Sequence, residues 1–427
     1  MLKLVRISIL FIALVHFLPT LSYGQAAMTP FSYLGIGEYY GNALAHNQGM
    51  AGVGISNPQY YFLNNQNPAL LVFNRFTVFE GGFIGERRTV RGNGLTESNG
   101  NANLNYLALG FPVKYGKWST SLVLAPYSTV NYRLNYTEAI DGTSTNTVDV
   151  TESGEGGINQ FSWSNGVSIT QDLSVGIKAT YLFSSIINNY SNTLTQSSQP
   201  IVYTPTVYER TYFKDIDFNV GLSFHKDSLF NRNYKFNLGL VYDFKSEVNT
   251  EFYSRVEQRN VGGIIDSVTL VNNEPGSITL PQALAAGISF GRADKWMVGF
   301  DFVYLDYTQF ENENQNLGQE ATQGWKSGLG FEFTPDPTAL GSYLKRMTYR
   351  TGVSFDNYPY LINGKPLRDF GINFGFSLPV SRISSIDLAL KAGRRGNLQD
   401  NGIDETYFKL YFGVTFNDQW FIRRRFE

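Results

Sequence analysis

The chain has 427 residues, no cysteine, a net charge of -2, and only 16% charged residues beside 15% aromatic ones. The missing cysteine excludes disulfides, thiolate metal sites and a lipidated-cysteine anchor. Near-neutrality leaves no electrostatic footprint for a nucleic acid. Its 27 Tyr, 33 Phe and 42 Gly suit an exported wall with an apolar outer face and a polar inner one.

Met1–Gln25 opens with Lys3 and Arg6, runs through apolar Ile7–Leu18, and ends on Pro19, Ser22 and Gly24. A charged head, a short apolar core and a small-residue exit predict a cleaved secretory signal peptide. The run is shorter than the roughly 18 apolar residues of a spanning helix. Residues 26–74 are Gly-rich with short apolar patches and predict a compact unit of about 50 residues rather than a strand pair. Fourteen strands enclose a lumen wider than side chains alone fill, so this segment is expected as an N-terminal hatch, or plug. Residues 75–427 are expected to form the barrel.

The barrel is read from period-2 alternation. Phe408, Leu410, Phe412, Val414 and Phe416 share one face, opposed by Tyr407, Lys409, Tyr411, Gly413 and Thr415. The same alternation recurs at Phe370–Leu378, Trp296–Tyr304 and Leu107–Val113. Turn residues divide the chain into strands near 75–91, 101–115, 118–137, 158–170, 173–187, 210–225, 234–253, 278–291, 295–310, 323–334, 348–356, 369–379, 384–393 and 406–416. Short connections alternate with long polar ones, as periplasmic turns alternate with outer loops. The expected long loops are 92–100, 138–157, 188–209, 254–277, 311–322, 357–368 and 394–405; Pro335–Met347 is long on the short side. The fold class is therefore all-β, a 14-stranded antiparallel transmembrane barrel of the outer membrane. Trp118, Trp296, Trp420 and Phe421 fall at strand ends, where headgroups lie, and Arg423–Arg425 read as a solvated tail before Phe426.

Three runs in the early segment carry a family resemblance: Phe31–Gly37 (FSYLGIG), Asn47–Ser56 (NQGMAGVGIS) and Asn64–Leu71 (NNQNPALL). They resemble the hatch of the FadL-type outer-membrane transporters of hydrophobic compounds (the OMPP1/FadL/TodX family). The Asn67, Pro68, Ala69 triplet stands at the hatch–barrel junction, where that family carries its mark. Ile278–Phe310 and Tyr349–Tyr360 are similar to later strands of the same family. The resemblance implies a plug, an apolar ligand pocket inside, and a lateral opening at a kink in the third strand. Pro126 lies in the third strand here, and a proline cannot donate to the ladder, so Pro126 is the candidate lateral gate. Phe31, Tyr33, Tyr39, Tyr40, Tyr60, Tyr61 and Phe62 are the candidate hatch pocket, each of which could equally pack plug against wall.

No enzyme chemistry is expected. His16, His46 and His225 have no ligand spacing, and no nucleophile–base set is apparent. Asp141, Asp149, Glu152 and Glu155 read as a solvated outer loop. No cofactor and no metal are expected. The function expected from the resemblance is passive uptake of a hydrophobic small molecule or lipid, of the long-chain fatty acid or hydrocarbon class. The alternative is a non-transporting barrel that joins other outer-membrane proteins as a subunit or scaffold of a type IX secretion or barrel-assembly complex. Its docking surfaces would be the loops 138–157, 188–209 and 254–277 and the arginine tail.

Overall fold

The computed structural model describes residues 26–139, 147–194, 204–229, 233–260, 262–311, 321–381 and 383–418. Large apolar side chains sit outward on successive wall strands: Phe79, Phe83, Trp163, Phe218, Phe300, Phe374 and Phe408 are all exposed. Their intervening neighbours point inward and are buried and polar, such as Glu80, Ser162, Asn219, Asp301 and Asn373. An apolar exterior of this extent is a lipid-facing surface. Among the described residues no helix is long and apolar enough to cross a membrane.

Seventeen strand segments form one sheet. One is the two-residue strand Glu38–Tyr39, and two others are continuations of broken strands, leaving a closed antiparallel wall of fourteen. The wall strands are β1 (Thr77–Gly92), β2 (Leu95–Lys114), β3 (Trp118–Ala139), β4 (Thr147–Ser168) and β5 (Leu173–Leu194). Then come β6 (Thr204–Leu229), β7 (Tyr234–Asp243, resuming as Ser246–Asn260) and β8 (Gly263–Leu280, resuming as Ala283–Arg292). The circuit finishes with β9 (Trp296–Asp306), β10 (Gln323–Phe333), β11 (Thr348–Ile362), β12 (Lys365–Pro379), β13 (Ser385–Asn397) and β14 (Ile403–Asp418). β14 pairs with β1 from Ile403↔Gly92 to Asp418↔Thr77, which removes the sheet's edges.

The strand count and the alternation of faces agree with the sequence; the outer connections do not. β4 begins at Thr147, β5 runs to Leu194, and β7 and β8 continue as a ladder to Asn260↔Gly263. Most of 138–157, 188–209 and 254–277 is therefore ladder rather than loop, and Asn93–Gly94 is a tight turn. Those stretches are mostly polar because they rise beyond the bilayer, although Ile264, Ile265, Val268 and Leu270 stand exposed near the tip of β8. A strand needs only about 9–11 residues to span, whereas β3 to β6 have 22, 22, 22 and 26. β9 and β10 have 11 each, so the rim is low there. The long short-side connection contains the single helical turn Tyr343–Arg346. The signal segment, Trp420, Phe421 and Arg423–Phe426 lie outside the described residues.

Residues 26–74 add no wall strand and are mostly buried. They lie against the inward faces of the wall, with short helical turns at Pro30–Tyr33, Ala45–Gln48 and Pro68–Phe73. Wall glycines make the approach possible. Gly166, Gly176 and Gly221 pair side by side across β4, β5 and β6, where Pro68 and its neighbours rest. Gly299, Gly330 and Gly352 do the same across β9, β10 and β11. A Cβ on Gly330 would stand 2.7 Å from the Met50 carbonyl oxygen, and one on Gly299 would stand 2.7 Å from Val53 Cγ1. At Gly166, Gly176, Gly330 and Gly352 main chain meets main chain, which only glycine allows, and at Gly299 the space is taken by the Val53 side chain.

Candidate lumen site

The Asn-Pro-Ala triplet builds the corner where the inner segment turns into the wall. Asn67 is fully buried and caps Pro68–Phe73: its Oδ1 accepts from the Ala69 N–H at 3.0 Å, and Pro68 takes the first position, where a missing N–H costs nothing. Asn67 Nδ2 donates to the Ile55 carbonyl at 2.9 Å and to the Leu222 carbonyl of β6 at 3.1 Å. Ser174 donates to the Ala69 carbonyl at 2.9 Å, and Lys178 to that of Asn65 at 3.1 Å. One side chain thus ties segment, cap and wall together.

Higher in the lumen, Glu38 enters a buried ion cluster. Arg88 of β1 reaches Glu38 at 2.6 Å, Glu86 at 2.7 Å and Glu405 of β14 at 2.9 Å. Arg395 of β13 reaches Glu38 at 2.9 Å and Asp369 of β12 at 2.8 Å, and Lys409 reaches Glu38 at 3.3 Å. Ala27 N–H donates to Glu86 at 2.7 Å, and the Thr29 hydroxyl donates to Glu405. Burial opposes ionisation of Glu38, but Arg88, Lys409 and Arg395 outweigh it and hold its carboxyl well below the ordinary 4.5. Other wall groups hold the segment's backbone: Glu80 accepts from Leu63 N–H at 2.8 Å, and Asp301 Oδ2 accepts from Gly54 and Ile55 N–H at 2.7 and 2.8 Å. His46, buried against Phe62, is kept well below its usual value by burial and then by Arg350, so it is neutral at pH 7.

Beside this cluster the wall departs from regular pairing. The β2–β3 ladder stops at Leu107↔Leu124. The β3–β4 register shifts between Pro126 and Ser128, and β3 then pairs its freed edge with the inner strand, Glu38↔Thr129 and Tyr39↔Ser128. Inward and outward residues exchange parity there, from Ser119, Ser121 and Val123 below to Ser128, Val130 and Tyr132 above. Pro126 therefore sits where β3 leaves β2 and turns to the segment inside. A second irregularity lies in β7 and β8, where Phe244–Lys245 and Pro281–Gln282 drop out between Asp243↔Ala283 and Ser246↔Leu280.

Both places border one cavity of about 310 Å³. Tyr39 and Tyr40 line it from the segment, and Tyr127, Phe244 and Pro281 from the wall. Its lining includes Asp217, Asp243 and Asp356 and, among the cations, Lys326, Lys391 and Arg395. The pocket implied by resemblance was apolar, whereas this one mixes tyrosines with both signs of charge. Of the seven aromatic candidates, only Tyr39 and Tyr40 meet there. Phe31 packs with Leu34, Tyr360 and Leu367 at the outer end, and Tyr33 stands edge-on to Tyr132 at 6.2 Å. Tyr60 borders a smaller pocket of about 200 Å³ at the short-turn end, Tyr61 stacks on Phe76, and Phe62 stacks on His46. The wall charges were missed because each is one polar residue in an alternating strand, indistinguishable in sequence from any other lumen-facing one.

These features, a closed fourteen-strand wall around a buried N-terminal segment with a broken third-strand ladder, define the FadL-type barrel fold. The toluene transporter TodX of P. putida is similar in structure with a TM-score of 0.57 and 15% identity, over 88% of this chain and 98% of that one. A FadL homologue of Pseudomonas aeruginosa is similar with a TM-score of 0.55 and 10% identity, over the same shares. The monoaromatic hydrocarbon channel CymD gives a TM-score of 0.53 at 16% identity, again over 88% and 98%. At such identities the likeness is one of fold. The BamG family model matches residues 1–427, and the chain belongs to the BamG family. No curated protein matches it by sequence.

Proposed function

We propose that the chain is a stoppered FadL-type barrel that serves as a subunit of a barrel-assembly complex in the outer membrane. The observation that carries this reading is the fixing of residues 26–74 to the wall, through the Glu38 cluster, the Asn67 corner and the glycine rows. A plug that must move for every transported molecule is not expected to bury so many ionic and main-chain links to the wall. Whole-length membership of the BamG family supports the same reading, and the tall rim of β3 to β8 offers a docking surface. The test is to tag the chain in its own outer membrane, solubilise gently and measure the mass of what is recovered. Stoichiometric recovery with another barrel protein is expected. A solitary chain, recovered under conditions that keep other membrane complexes intact, contradicts it.

A second reading rests on a separate observation. The cavity touches Tyr127, beside the end of the β2–β3 ladder, which supports sideways release of a small hydrophobic molecule near Pro126. Uptake of labelled toluene by cells with and without the chain tests this; equal rates contradict it.

A further inference from the structure

The oxygen atoms in the cavity wall are short of donors. Asn219, on β6 and only 6% exposed, gives its Nδ2 to Asp243 at 2.9 Å, which fixes the amide and leaves Oδ1 buried without a partner. Asp217 Oδ1, two residues along the same face, is likewise buried and unpartnered. So is Asp301 Oδ1, on the carboxylate whose other oxygen holds Gly54 and Ile55. All four side chains line the cavity. Among the described residues, no cation lies within ion-pair distance of Asp217 or Asp243. Lys178 is near enough to act on both, yet its ammonium donates to the Asn65 carbonyl.

Around these acceptors stand aromatic faces. Tyr39 and Tyr127 meet edge-on at 5.1 Å, and both carboxylates act on their hydroxyls. The Tyr39 ring already carries a cation, the Lys326 ammonium 4.5 Å from its centre. Two carboxylates and a buried amide oxygen beside phenol rings want a ligand that brings N–H donors and positive charge.

We infer that the cavity is a binding site for a small organic ammonium ion, held by Asp217, Asp243 and the Asn219 carbonyl oxygen and faced by Tyr39 and Tyr127. This goes beyond the subunit reading and does not rest on it, since a barrel docked to partners keeps the same lumen. It also departs from the neutral hydrocarbons carried by the barrels this fold resembles.

The test compares three probes that share a phenyl ring and differ in side-chain charge, on the full-length barrel in detergent at neutral pH, by titration calorimetry: 2-phenylethylamine, phenylacetate and ethylbenzene. The ammonium probe is expected to bind about tenfold more tightly than either other probe, a difference of about 1.4 kcal/mol. Asp217→Asn/Asp243→Asn is expected to abolish that preference, and Asp217→Glu to retain it. Heat-modifiable migration on a gel confirms that each variant is folded before titration. Ethylbenzene binding as tightly as the amine overturns the inference. So does amine binding unchanged in the double Asn variant, or no amine binding to the native barrel.

Discussion

At the residue scale, two anchors carry the interior. Asn67→Ala removes a helix cap and leaves the carbonyls of Ile55 and Leu222 without their amide donor. A cap is worth about 1 kcal/mol and an orphaned buried polar group about 1–3 kcal/mol. The substitution is expected to lower urea stability in detergent by about 2–4 kcal/mol, read by tryptophan fluorescence. Arg88→Met takes from Glu405 its ion-pair partner among the described residues and leaves Glu38 and Glu86 to share Lys409 and Arg395, and breaking such a buried set costs about 3–5 kcal/mol. Glu38 also sets a pH dependence. Its folded carboxyl lies below the ordinary 4.5, so its contribution is complete above that value and is lost as the pH falls through the depressed one. Tethering of the inner segment should hold from pH 7 to about pH 5 and weaken below pH 4.5, measured by protease access to residues 26–74; access that rises between pH 7 and 5 contradicts the assignment. Asn67 was visible in the sequence because cap, proline and small residue are adjacent. The Glu38 cluster was not, since its members lie on five separate stretches and only closure of β14 on β1 joins them.

At the element scale, the glycine rows explain why residues 26–74 fit. Gly330→Val would drive its side chain into Met50, and overpacking of this kind costs about 1–3 kcal/mol. The same measurement on Gly94→Ala, in an outer turn with no neighbour within 4 Å, should show an effect of about 1 kcal/mol or less, owing only to its positive φ. Pro126 acts through the ladder. Replacing it with Val restores a donor, so if β3 serves as the exit, toluene uptake should slow; unchanged uptake removes Pro126 from any pathway. Strand cores were legible because lipid and lumen impose strict alternation. Their outer ends were not, because above the bilayer no lipid face enforces period-2 alternation while pairing continues, as in β8, where adjacent Ile264 and Ile265 are both exposed.

At the scale of the whole molecule, the inner segment and the wall are one body. The chain runs from the outer end, at Phe31 and Leu34, past the Glu38 cluster to the short-turn end at Pro68–Phe73, and meets the wall along the way. Composition and parity make the barrel readable in the sequence, while the polar, tyrosine-lined character of the lumen depends on which strands face each other across it. On the proposed reading the segment is a fixed part of the wall. Hydrogen–deuterium exchange of the intact barrel in detergent tests this most directly. Amides of residues 36–72 should be protected for hours, like those of β12 to β14. Exchange of those amides within seconds, while the wall remains protected, would show a mobile plug and contradict the account.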